Sequence, residues 1–146
     1  YWGVSAYKLV AADGTPTFIR YNIVPDAGVS TLDATAAAAK EHGAEYLQTE
    51  LSARLQTGAI GFKIFAQVAE EGDVTDDATV HWPESREVVE LGEFKLEGRV
   101  LDGAREVKRV IFDPIPRVRG VEPSGDPLLE MRAAVYLISG KQRRAA

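Results

Sequence analysis

Three residues near the C-terminal end of this 146-residue chain have side chains and spacing suited to chemistry: Arg132, Tyr136 and Arg143. With Leu129 and Ser139 they recur at intervals of three and four residues, so a helix running through them carries all five on one face. A phenol that titrates at roughly pH 10 is a poor ligand at neutral pH. A guanidinium one helical turn away favours the phenolate and can draw that value down. A phenolate can hold ferric iron, the iron of a haem included. The same spacing also suits a core tyrosine, a snorkelling arginine and a basic last turn favoured by the helix dipole, and the pattern alone leaves both readings open.

The helix itself is well motivated. Asp126 followed by Pro127 is an N-cap and first-turn pair, and Glu130 suits the positive end of the dipole. Upstream, Trp2, Val4, Ala6 and Leu9-Val10 read as a strand, residues 12–16 (ADGTP) as a turn, and residues 17–24 as a second strand ended by Pro25, so that the two make a hairpin. Thr31-Leu32-Asp33 opens an alanine-rich helix interrupted by Gly43; Ala44 to Leu55 continues helically until Gly58 stops it. Alternation predicts strands over 60–68 and 88–100, a short strand at Val110-Ile111-Phe112, and a proline-rich loop over 113–127. The expected class is α+β: an antiparallel barrel with a helical insertion and a C-terminal helix.

Composition narrows the partners. A chain that is 45% hydrophobic and 27% charged can bury one core, and a net charge of −5 argues against nucleic acid, because only the last few residues are basic. There is no apolar run long enough to cross a membrane as a helix. The absence of cysteine excludes disulfides and thiolate chemistry yet leaves cytoplasmic and periplasmic compartments equally open. The sole methionine is Met131, so the chain reads as processed or cut from something longer.

Arg132-Ala133-Ala134-Val135-Tyr136 resembles the R-x-x-x-Y proximal motif of the catalase family of haem proteins. GVEPSGDPLLEMR (120–132), FDP (112–114), the Q-to-W-P stretch with its following strand (67–96) and FIRYNIVPDAG (18–28) resemble family segments in the same order. The likeness is greatest to the short catalase-related peroxidases. It implies a haem-dependent enzyme using haem b and acting on hydrogen peroxide or an organic hydroperoxide with a reductant. Tyr136 would be the iron ligand, Arg132 its charge partner and Arg143 a propionate clamp. It also implies that residues 1–146 form one domain fragment, the C-terminal, proximal half of the haem domain. The distal histidine would lie in the missing N-terminal half, since neither His42 nor His81 matches the family's distal motif. Exposed half-barrel edges call for a partner strand set, from that missing half or from another copy in a homo-oligomer.

Two rivals remain: an allene-oxide-type enzyme that rearranges hydroperoxides, and a cofactor-free β-barrel module binding an apolar ligand. A calcium loop between Asp73 and Glu84 fails, because Thr75 and Ala78 occupy the third and sixth positions and Pro83 adjoins the glutamate. Gly58-Ala59-Ile60-Gly61 lacks the lysine of a phosphate loop.

Overall fold

The computed structural model describes residues 1–31, 45–100 and 103–145. Five strands form one antiparallel sheet: β1 (Tyr7–Val10), β2 (Pro16–Pro25), β3 (Ile60–Val68), β4 (Val88–Leu96) and β5 (Val121–Pro123), in the spatial order β4-β3-β2-β1-β5. Among the described residues three helices accompany them: α1 (Tyr46–Thr57), α2 (Gly103–Val107) and α3 (Pro127–Ala145). The α+β, antiparallel class expected from the sequence is the class observed.

The hairpin turn follows from its residues. Gly14 takes φ 89°, a conformation that glycine adopts without a Cβ penalty, and Asp13 Oδ1 accepts the Thr15 amide at 2.9 Å. β1 is shorter than its pattern: the ladder begins at Tyr7, while Trp2 makes only an isolated bridge to Asn22. There Gly3 lies so close to β2 that a Cβ would stand 2.8 Å from the Tyr21 carbonyl oxygen. β2 and β3 pair over seven residues, from Ile19↔Val68 to Pro25↔Phe62. At the far edge the Phe62 and Phe94 rings stack with centroids 5.0 Å apart.

Several expected boundaries move for identifiable reasons. The strand predicted over 88–100 ends at Leu96, because its partner there is Ile60, the first residue of β3, and pairing beyond it has run out. No strand forms at Val110-Ile111-Phe112; the segment instead follows α2 and packs on α3. β5 lies inside the stretch expected to be loop. It pairs with β1 from Tyr7↔Pro123 to Leu9↔Val121, with a Lys8–Glu122 ion pair at 2.7 Å, and its proline sits on a sheet edge, where a missing N–H is tolerated. The alanine-rich helix expected from residue 31, and with it His42, lies outside the described residues.

Among the described residues the buried apolar side chains are Ala6, Ile19, Ala66, Trp82 and Leu129. Two of these bear on the site. Leu129 is fully buried and anchors the first turn of α3, while Trp82 holds the loop between β3 and β4 by donating from Nε1 to the Val74 carbonyl at 2.7 Å.

Candidate active site on the C-terminal helix

α3 begins as its sequence dictates. Asp126 is the N-cap: its Oδ1 accepts the Leu128 amide at 2.8 Å, and its backbone carbonyl accepts the Leu129 amide at 3.1 Å. From there the helix presents two faces. Leu129 and Gly140 are buried, and Arg132, Tyr136, Ser139 and Arg143 are half-buried on the same side; Leu128, Met131, Val135 and Ile138 are exposed on the other. Arg132, Tyr136 and Arg143 thus share one inward-facing stripe.

Within that stripe the Arg132 guanidinium carbon lies 5.5 Å from the centroid of the Tyr136 ring. Among the described residues the Tyr136 hydroxyl has no hydrogen-bond partner, and Arg132 makes no hydrogen bond or ion pair. The Arg132 charge reaches a second phenol, Tyr7 of β1. Burial, the larger influence, pushes the Tyr7 hydroxyl above its ordinary value, and the Arg132 cation works against that rise. Tyr7 is held in place by donating to the Pro114 carbonyl at 3.1 Å and by a tilted ring contact with Tyr21, centroids 5.7 Å apart. Nothing in the spacing of residues pointed to an interaction of Tyr7 with Arg132, since the two are 125 positions apart in the chain.

Arg143 is differently engaged. It donates to the carbonyls of Val107 and Val110 at 2.9 and 2.8 Å, and its guanidinium lies 5.0 Å from the Phe112 ring centroid. Beside it Gly140 meets the Ile111 side chain so closely that a Cβ would collide with Ile111 Cδ1. Arg143 Nε is buried without a partner.

Of the other sequence candidates, His81 is exposed, and no group of three or more metal-ligating side chains comes together among the described residues. Asp73, the first residue of the rejected calcium loop, accepts from Arg86 Nε at 2.9 Å and from the Glu70 amide at 2.8 Å, so its carboxylate closes a loop. Sequence reasoning missed Arg20, which is only 5% exposed despite its charge. Its position inside the apolar run Phe18-Ile19-Arg20-Tyr21 was the available signal.

The match to known proteins extends over the whole chain. The family model described as Catalase matches residues 1–146, and the chain is a member of the catalase family. It is 37% identical to a catalase-related peroxidase of Mycolicibacterium paratuberculosis over 98% of this chain and 45% of that protein. It is 28% identical to a catalase-related peroxidase of Synechococcus elongatus, over 98% of this chain and 42% of that one. In structure it is similar to catalase A from Saccharomyces cerevisiae, with a TM-score of 0.84 at 23% identity over 96% of this chain and 30% of the yeast chain. The chain therefore spans less than half the length of the curated relatives it matches.

Proposed function

We propose that residues 1–146 are the proximal half of a haem-dependent peroxidase or catalase domain that decomposes hydrogen peroxide or organic hydroperoxides. The observation that carries this reading is the Arg132–Tyr136 pair: a phenol with no hydrogen-bond partner among the described residues and a guanidinium over its ring, on the inner face of one helix.

The residues fit a haem. Tyr136 has a free hydroxyl for the iron, and the buried Nε of Arg143 is an unused donor suited to a propionate carboxylate. Bound haem, which we take to be haem b, would supply the iron at which the peroxide O–O bond is cleaved. The chain's own contribution is electrostatic and positional. Tyr136 must give up its phenolic proton to serve as a ligand, and Arg132 stabilises the anion that results. Leu129 and the Asp126 cap hold the start of the helix, so the phenol and the guanidinium keep a fixed relation to β1.

Peroxide cleavage also needs a positioned acid and base on the opposite face of the haem. His81 is exposed and does not match the family's distal motif, so we assign that role to the part of the longer relatives that these 146 residues do not cover. Likeness to the two catalase-related peroxidases supports a peroxidase that also needs a reductant.

The test is the absorption spectrum of the complete protein as isolated, followed by peroxide consumption with and without an added reductant. A Soret band together with turnover supports the reading; a colourless protein that cannot be reconstituted with haem overturns it.

A further inference from the structure

Arg20 is a buried cation in the middle of a strand, an expensive feature unless it serves something. Its guanidinium donates to the carbonyls of Val80 and Asp77 at 2.8 and 3.4 Å and lies 4.3 Å from the Trp82 ring centroid. It thereby fastens the backbone of residues 77–80 onto β2.

The start of α3 rests on the same loop. Gly125 packs against Asp76, at a distance where an added Cβ would stand 3.7 Å from the Asp76 Cβ, and the next residue, Asp126, is the N-cap. Asp126 is itself only 5% exposed, and while its Oδ1 caps the helix, its Oδ2 is buried without a partner. Arg20 has the complementary gap: its Nε is buried without a partner. Burial lowers the affinity of the Arg20 guanidinium for its proton, and the charges of Asp73, Asp126 and Asp77 oppose that loss, so Asp126 acts as one of its counter-ions. An unused buried donor and an unused buried acceptor of opposite charge, close enough for their charges to interact, are the components of a charge-assisted link through one water.

We propose that Arg20 is a positioning residue for the Tyr136 helix, acting through the 76–80 loop and the Asp126 N-cap to fix where α3 begins. Every residue of the inner stripe takes its place from that origin. A shift of the first turn would move Arg132 and Tyr136 together relative to β1. This inference rests on the proposed function only for its meaning to the ligand; the coupling of Arg20 to the helix start stands apart from haem.

The experiment compares Arg20→Met, Arg20→Lys and Asp126→Asn in the complete protein, with Phe94→Leu as a control. Phe94→Leu loosens the Phe62 stack at the far edge of the sheet and leaves the loop untouched. In the haem-free protein, amide exchange at Leu128 and Leu129 should be about ten-fold faster in Arg20→Met and in Asp126→Asn, the loss expected for a charge-assisted contact. Arg20→Lys should recover part of that protection, and Phe94→Leu should leave it unchanged. In the haem-loaded protein Arg20→Met should move the Soret maximum while Phe94→Leu does not. Unaltered exchange at Leu128 and Leu129 in a folded Arg20→Met protein overturns the proposal. If that variant does not fold, unaltered exchange in Asp126→Asn does so. A wild-type protein that takes up no haem would defeat the proposed function, yet the exchange measurement would still decide the role of Arg20.

Discussion

The two arginines on the inner face of α3 stand 11 residues apart and are used differently. Arg143 spends two donors on the carbonyls of Val107 and Val110 and covers the Phe112 ring, so it ties α3 to the segment after α2. Arg132 has no hydrogen bond or ion pair among the described residues and lies over Tyr136. A long, charged side chain held half-buried without a partner gives up hydration for little return, whereas one that satisfies loop carbonyls repays that cost locally. The contrast separates an arginine anchored to loop carbonyls, with only its Nε left over, from one that in the proposed reading is kept wholly available for a charge on the Tyr136 oxygen.

The largest effect tests the proposal that residues 1–146 are the proximal half of the domain. On that proposal, haem-reconstituted residues 1–146 should evolve oxygen from peroxide at least about 100-fold more slowly than the complete protein, because the acid–base group that contributes roughly 10²- to 10⁴-fold would lie elsewhere. Comparable turnover would mean that a group within this chain performs the distal work, and the proximal assignment would fall.

Next comes the structural end of the helix. Gly140→Leu drives into Ile111 a side chain too large for a turn of Ile111 Cδ1 to accommodate, and overpacking of this kind costs about 1–3 kcal/mol, more than the roughly 1 kcal/mol regained by removing a helical glycine. Thermal unfolding should register the loss, and the Soret maximum should hold its position. A spectral shift as large as that from changing Arg132 would erase the distinction between the two ends. Arg132→Leu should do the reverse, speeding haem loss about ten-fold with little change in melting temperature, because the cation beside the ligand oxygen is gone. Equal effects on stability and on haem retention would break the comparison.

The smallest effect concerns pH. The Arg86 guanidinium hydrogen-bonded to Asp73 holds that carboxyl below its ordinary value. A depressed carboxyl contributes stability that is present above its unfolded pKa, about 3.9, and is lost as pH falls through the lower folded value. Arg86→Met should therefore flatten the acid limb of the stability profile below about pH 4 and leave the neutral region with a constant offset. An acid limb that keeps its slope in the variant would show that another carboxylate is responsible.

How much of this was legible beforehand differs element by element. The strand over 60–68 and the C-terminal helix were readable to within a residue, because each combines a clear period with a strong stop or start: Gly58 before the one, Asp126-Pro127 before the other. The 88–100 strand was overextended, since alternation continues past the point where a partner exists. β5 was hidden in a proline-rich stretch because three residues carry no measurable period; it exists only because β1 offers an edge. In the site, Arg132, Tyr136 and Arg143 could be found by spacing. Their different engagements could not, because Arg143 meets Val107 and Val110 across more than 30 residues of chain. Arg20 was visible only as a charge out of place in an apolar run, and its purpose depends on a loop 57 to 60 residues away.

Whether Tyr136 is the group that holds the iron can be read from the visible absorption spectrum of Tyr136→Phe in the complete protein. Phenylalanine keeps the ring beneath Arg132 and removes only the oxygen. With Tyr136 as the ligand, the wild-type Soret band should be lost or collapse to that of weakly bound, exchangeable haem, while far-ultraviolet circular dichroism is unchanged. A Tyr136→Phe protein that retains haem with the wild-type spectrum would contradict that role.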